Sequence, residues 1–454
     1  MARKYAWTEE RRAELTRLAG EGLTDTQIAK HFGLSRDAII QTRQRYNIQS
    51  GAEQRSQWLT QPAGRPDAQG DPTDAEVMRL EAECRKLNQQ LRDTRAKLGR
   101  AQDEGVLFGL LSEVIRAETA HLPITGPRPQ RPAGSKTDTV EECVALLSDA
   151  HADKLIRPER VMGFEDYNWS EFERRFTRYV DSLVGWTHGN LAQHRFDRLW
   201  VYMLGDHVEG AIHGGDKHTA FQHAMLGALS VGDVFAAGIA ELAQFFPEIV
   251  LVCVSGNHPR QTKPLDWRGA RENFDFLVAT QVATRLQDYV EDGRVTVHAP
   301  DSWMAAVQVC GWNFLLSHGH EVKGWNGIPW YGLERKARRM AALFPSGTPL
   351  HYFCHGHFHQ AASTPTPGGE TYGNGAWFAT DEFALDALGS ATRPMQWLLG
   401  VHEERGVSWR LPIHVSAPIG QRLPDARFRA RILDEVAGGD AGRVPGMHLI
   451  RAVS

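Results

Sequence analysis

Five short clusters of carboxylate, amide and imidazole side chains, each set just after an apolar run, constrain this chain more than any other feature. They are Asp149-Ala150-His151, Gly205-Asp206-His207-Val208-Glu209, Gly256-Asn257-His258, Ser317-His318-Gly319-His320 and Gly356-His357-Phe358-His359. The runs before them, 144–147, 199–204, 249–254, 314–316 and 352–354, are short and apolar, and helical segments separate them, which predicts buried strands. Strand ends hold loop side chains rigidly at one rim of a sheet, so five of them can deliver polar residues to a common place. The donors are oxygen and nitrogen, with no thiolate in the clusters, a set that suits divalent manganese, iron or zinc. Alternate residues of an extended segment point the same way, which predicts that Asp149 pairs with His151 and His357 with His359.

In this order the clusters resemble the successive signatures of the calcineurin-like metallophosphoesterases, over residues 140–360. The resemblance implies an α/β fold: a four-layer α-β-β-α sandwich of two mixed sheets, with metals at the strand ends on one rim. It implies that Asp149, His151, Asp206 and His359 hold one divalent ion, and that Asp206 bridges to a second ion held by Asn257, His318 and His357. A shared carboxylate keeps two cations about 3.5–4 Å apart, and the pair generates a bridging hydroxide for in-line attack on a phosphate ester. Manganese is the expected metal, with iron, zinc and magnesium as alternatives. By the same resemblance His258 meets the leaving-group side of the phosphate as an acid, and Glu209, where the family usually has Asp, orients it. Pro259 departs from the acidic residue common at that position. Arg260 either reaches a substrate phosphate or pairs with a carboxylate, and His320 and His355 are expected to fix the tautomers of neighbouring imidazoles. His213, His218 and His223 are read as ordinary loop histidines, and His207 as a loop histidine or one that backs the ligands. The aromatic stretch 325–331 reads as packing over the rim or as a stacking platform.

At 454 residues the chain has room for two or three domains. Its 51 Lys and Arg against 55 Asp and Glu exclude a molecule that binds nucleic acid by bulk charge, so such binding needs a local patch. Residues 1–50 predict three short helices, and the stretch from Leu23 to Tyr46 resembles a helix-turn-helix with Arg36, Arg43 and Arg45 as candidate DNA contacts. A three-helix protein-docking module is the alternative. Residues 51–74 read as a flexible linker. In 75–120, Val77, Leu80, Cys84, Leu87, Leu91, Thr94 and Leu98 form a heptad seam. That seam predicts a coiled coil and a homodimer through 77–98, or else a long helix packed on its own domain. A helix from Val106 leads to a Pro-rich linker at 121–139, a metallophosphoesterase domain at 140–415 and a tail at 416–454 that no motif covers. Two apolar runs around Glu404-Arg405-Gly406 predict a hairpin. The five cysteines lack paired spacing and read as reduced thiols, four of them in or beside buried strands. With no long apolar span and no secretory signal, the expected location is the cytoplasm, away from membranes.

Three functions fit these expectations. The leading one is a divalent-metal-dependent phosphodiesterase or nuclease acting on DNA. The second keeps the chemistry but acts on a nucleotide, a phosphoprotein or a small phosphate ester, because one scaffold hosts many substrates. The third is a DNA-binding regulator whose phosphoesterase domain is silent.

Overall fold

The structure, a computed structural model, describes residues 7–20, 23–46, 48, 106–130, 139–210, 219–221, 223–261, 269–323, 329–344, 349–366, 368–418 and 421–430. The linker at 51–74, the heptad seam at 77–98, His213, His218 and Trp325 lie outside the described residues. The chain divides into two compact units, 1–93 and 94–454.

Among the described residues, the first unit has three helices, α1 (Glu9–Gly20), α2 (Asp25–Phe32) and α3 (Arg36–Tyr46). Thr24 starts α2 with a capping box, its side chain accepting from the Gln27 N–H while Gln27 reaches back to the Thr24 N–H. Gly33 ends α2 at φ 66°, in the left-handed region where a missing Cβ removes the clash, and the Ser35 hydroxyl accepts from the Ala38 N–H at the start of α3. Leu15, Leu18, Ile28 and Ile39 bury their side chains together, with Trp7 and Phe32 against them. Arg36 and Arg45 are exposed as expected. Arg43 is not available as a DNA contact: it is buried and forks onto Asp25 at 2.7 and 2.9 Å, because its position on α3 faces the start of α2.

The second unit is built on two mixed sheets. The first runs β11 (Gly406–His414), β10 (Met395–His402), β1 (Thr139–Leu147), β2 (His194–Met203), β3 (Glu248–Cys253) and β4 (Val295–His298). The second runs β5 (Met304–Val309), β6 (Trp312–Ser317), β7 (Tyr352–His355), β9 (Gly369–Gly373) and β8 (Ala362–Thr366). Strands β1 to β4 are mutually parallel, as are β6, β7 and β9. Alternate residues of β1, β2 and β3, among them Val144, Tyr202 and Val252, meet Phe314, Tyr352 and Tyr372 of the second sheet in a core between the layers. The opposite face of the first sheet is covered by α5 (Trp169–Val184), α6 (Ala224–Leu242) and α7 (Phe274–Arg285), with the short α8 (Gln287–Glu291) following. Helix α9 (Trp330–Ala341) covers Leu315 and Phe353 on the outer face of the second, and α10 (Glu382–Leu388) follows among the described residues. The result is the expected α-β-β-α order of layers.

Helix α6 is long and apolar enough to cross a membrane, but most of it is buried within the unit, as for a core helix. Packing begins upstream of the boundary expected at 140. Helix α4 (Val106–Glu118) places Phe108 and Ile115 in the core beneath the first sheet, the Phe108 ring 5.4 Å from that of Phe274. The described part of the Pro-rich stretch is not a free linker, because its polar groups find partners on the unit: the Leu122 N–H donates to the Arg285 carbonyl at 2.7 Å, and Arg128 donates to the carbonyls of Pro247 and Gly293. Part of the tail is docked too, with Phe428 buried against Phe176 and Arg427 paired with Asp181 and Glu241.

Candidate metal centre

Parallel neighbours end side by side, and this brings the clusters together. β1, β2 and β3 finish in step at Leu147, Met203 and Cys253, and β6 and β7 pair up to Leu316 and Cys354 and end one residue later, at Ser317 and His355. The loops after them are laced by backbone bonds from Asp149 N–H to the Gly205 carbonyl, His151 N–H to the Asp206 carbonyl and Gly356 N–H to the His318 carbonyl. The loops also touch more closely than side chains permit. A Cβ on Gly205 would lie 2.4 Å from the Gly256 nitrogen, and one on Gly256 would lie 2.1 Å from Asp206 Oδ1.

Three groups of donor atoms converge at this rim, each within 4.8 Å: Asp149, His151 and His359; Asp206, His318 and His357; and His151, Asp206 and His258. Asp206 and His151 therefore join the groups into one cluster. His318 Nε2 stands 2.9 Å and His151 Nε2 3.8 Å from Asp206 Oδ2, and His359 Nε2 stands 3.5 Å from Asp149 Oδ1. Asn257 is buried beside them in the chain, next to His258, whose N–H donates to Asp206 Oδ1 at 2.8 Å. All seven residues expected as ligands thus lie on the loops of this one rim.

The expected reason for the pairing does not hold. Asp149 (φ 53°), His151 (φ 38°), Asp206 (φ 55°), His357 (φ 73°) and His359 (φ 56°) are left-handed, so turns and not strand alternation aim them inward. Such a conformation costs an L-residue on the order of 1 kcal/mol, and only the surrounding bonds hold it in place. Among them are the His357 N–H to Asp149 Oδ1 at 2.9 Å and the Ser148 hydroxyl to Asp149 Oδ2 at 2.5 Å.

Among the described residues, four buried polar atoms of the expected ligands, His151 Nε2, Asp206 Oδ2, Asn257 Oδ1 and His318 Nε2, make no hydrogen bond of good geometry, although His318 Nε2 and Asp206 Oδ2 stand 2.9 Å apart. Polar atoms buried without good partners are costly, and a bound cation would satisfy all four, displacing the proton from His318. The opposite ring nitrogens are fixed: His151 Nδ1 lies 2.8 Å from Glu209 Oε2, and His318 Nδ1 lies 2.8 Å from the Leu204 carbonyl, which selects Nε2 as the inward atom on each ring. The donor set fits divalent cations. Burial favours the neutral imidazole at His318, yet the charge of Asp206 outweighs it and pushes that ring up to about 10. At His357 and His359 burial wins and holds both well below the usual value, as ligands require.

Glu209 does more than the sequence indicates. One oxygen meets His151, and the other lies 3.2 Å from His258 Nδ1. Lys154 stands 3.3 Å from Glu209 and 2.7 Å from Asp381. Burial alone would raise the Glu209 carboxyl, but Lys154, His258 and His151 hold it well below the usual range. Burial likewise opposes charge on His258, and Asp206 and Glu209 overcome it, so the ring titrates above its ordinary value.

Arg260 is half-buried and its backbone bridges to Asn273. His355 and His320 do not fix the tautomers of His318 or His151, which the Leu204 carbonyl and Glu209 already fix. His355 Nδ1 meets the Gly356 carbonyl, while His320 lays its ring 5.7 Å from that of His318. His207 packs its ring edge-on against Phe235, and His223 is exposed before α6. Two acids go unmarked in the sequence reading. Asp275 accepts from the N–H groups of Asp206, His207 and Gly256 at 2.8–3.0 Å, and Asp153 accepts from the Glu209 N–H at 2.7 Å. Burial pushes each up to about 7. Asp153 follows His151 by two residues and could have been found there, but nothing local marks Asp275.

Residues 6–56 match the family described as the homeodomain-like domain. No curated protein matches the chain. Among solved structures, similarity is found to vacuolar protein sorting 29 from Cryptosporidium parvum, 13% identical over 58% of this chain and 87% of that one, with a TM-score of 0.28. An archaeal phosphodiesterase is 10% identical over 60% of this chain and 99% of its own, with a TM-score of 0.27. The sulfate thiohydrolase SoxB of Thermus thermophilus is 12% identical over 68% and 62%, with a TM-score of 0.28. Likenesses this distant leave the functional question to the geometry of the rim.

Proposed function

We propose that this protein is a divalent-metal-dependent phosphoesterase, directed to DNA by its N-terminal helix-turn-helix unit. The observation that carries the reading is the set of four buried polar atoms gathered around Asp206 that, among the described residues, make no hydrogen bond of good geometry. In this reading Asp149, His151, Asp206 and His359 hold one ion, and Asp206, Asn257, His318 and His357 hold the other. When bound, such a pair supplies Lewis-acid charge at the phosphoryl oxygens and makes water acidic enough to attack at neutral pH.

The chain's own residues supply the rest. Glu209 keeps the His258 imidazole protonated through Nδ1, which leaves Nε2 as the atom from which a proton passes to the departing alkoxide. Lys154 and Asp381 hold Glu209 in place for that task. Asp275 fixes the spacing of the Asp206 and Asn257 loops, because one carboxylate receives backbone donors from both sides. The preference for DNA rests on the helix-turn-helix, which keeps substrate close and so raises its local concentration.

A panel of a bis-aryl phosphodiester, an aryl phosphomonoester, single-stranded DNA and duplex DNA, each with manganese, magnesium, zinc and iron, tests the proposal. Diester cleavage that Asp206→Asn abolishes is the expected result, together with loss of bound metal from that variant. Undiminished cleavage by Asp206→Asn removes the metal assignment, and a preference for the monoester removes the nuclease. A purified chain that binds no divalent ion on titration favours the silent regulator instead.

A further inference from the structure

We infer that the cleft bounded by the start of β5, residues 321–323 and helix α9 is a groove for a nucleic-acid single strand, leading its phosphodiester backbone to the candidate metal centre. The inference rests on the phosphoesterase reading for the purpose of the strand, though not for its binding. The cleft is about 530 Å³ in volume and is lined by Lys323, Arg335, Lys336 and Arg339, with Asp301 and Glu321 as its carboxylates. Glu321 is engaged already, since it accepts from the Ser317 hydroxyl at 2.7 Å and stands 3.5 Å from Lys336. Lys323, Arg335 and Arg339 are exposed, so the wall is basic although the chain as a whole carries a net charge of −4.

The sequence of α9 explains the wall. Leu333 and Ala337, four residues apart, bury one stripe against Leu315 and Phe353. That packing turns Arg335 and Arg339, also four apart, away from the core. Beside them Tyr331 is 68% and Trp330 39% exposed, and the Arg335 guanidinium lies 5.9 Å from the Tyr331 ring. Cations that follow a backbone, with aromatic faces among them on which bases stack, are what strand binders present, and an acidic peptide has no use for the rings.

The groove also adjoins the rim. Trp303, which lines it, sets its ring 5.2 Å from that of His320, and His320 lies 5.7 Å from His318 and 6.4 Å from His357. A single imidazole therefore separates Trp303, at the edge of the groove, from two of the candidate ligands.

The test is fluorescence anisotropy of a labelled single-stranded oligonucleotide with the full chain in EDTA, titrated with salt. The parental chain and every variant carry Arg36→Ala and Arg45→Ala, so that strand held by the N-terminal unit does not mask the groove. Reversing both arginines (R335E with R339E) is expected to weaken binding at least about tenfold and to lower the salt slope by about 1.4, two contacts at roughly 0.7 each. Tyr331→Ala should weaken binding about tenfold with the slope unchanged. R405E, an exposed reversal in the β10–β11 turn, should leave both alone. Parental affinity and slope in R335E with R339E overturn the groove, as does displacement of the strand by polyglutamate of equal charge. Hydrolysis of the bis-aryl diester by the parental chain with manganese is read separately: its absence removes the phosphoesterase reading and leaves the binding result standing.

Discussion

At the scale of single residues, Asp275 shows how the rim is held. Its carboxylate collects three backbone donors from two loops, so replacing it with alanine leaves those N–H groups buried and unpaired and lets the loops part. Metal affinity and turnover of Asp275→Ala should each fall roughly 10–100-fold, as measured by calorimetric metal titration and diester hydrolysis. Gly256→Ala should be harsher, because the new methyl would overlap Asp206 Oδ1, a group both metals are proposed to need. The thiols give a test independent of metal. Burial keeps Cys143 well above an ordinary thiol and pushes Cys253 up to about 12, with the Asp275 charge adding to the second. The native state then keeps protons that the denatured chain surrenders above pH 9, so stability is retained below that pH and lost as it rises toward 12. Urea melts at pH 8.5 and 10.5 should show a loss of up to about 1.4 kcal/mol per pH unit for each such thiol, and Cys253→Ala should flatten the curve. Ligand residues such as Asp206 and His357 could be found from sequence because each follows its own buried strand. Asp275 could not, since its partners lie 69 and 19 residues away and only folding brings them near.

Among the elements, helix α3 separates two uses of arginine. Arg43→Ala leaves Asp25 without its fork and should cost about 1.5–3 kcal/mol in a thermal melt of the N-terminal unit. Arg36→Ala and Arg45→Ala should leave the melt unchanged, while each weakens duplex binding and lowers the salt slope by about 1. Sequence alone treated the three alike, because charge and spacing do not reveal which face of a helix meets its neighbour. Strands divide in the same way. The interior strands β2, β3, β6 and β7, with β1, carry continuous apolar runs and were legible. β4, β5 and β8 went unread: each lies at the edge of its sheet, where one side lacks a partner strand and polar residues are tolerated, and Pro365 within β8 is a residue that edges accept. β9, interior but short, reads Gly-Glu-Thr-Tyr-Gly and carries almost no apolar signal. The hairpin of β10 and β11 was visible because its turn residues stand between two long apolar runs.

For the molecule as a whole, metal binding should appear as stability. Ions that bind the native rim and not the unfolded chain add about 2.7 kcal/mol at a hundredfold excess over Kd, so manganese should raise the melting temperature by roughly 5–10 °C and EDTA should reverse the gain. Asp206→Asn should melt at one temperature in both solutions. The order of layers was accessible from sequence through a family resemblance, whereas the docking of α4, Arg128 and Phe428 onto the unit was not, because isolated contacts leave no periodic trace. The two sheets finally impose an order on events. Asp149 and His151 leave the first sheet and His359 the second, and Asp206 faces His318 and His357 across the same divide. A nascent chain therefore lacks the candidate metal centre until more than two hundred residues have closed around their core. Under the proposed reading, metal uptake would mark the end of folding.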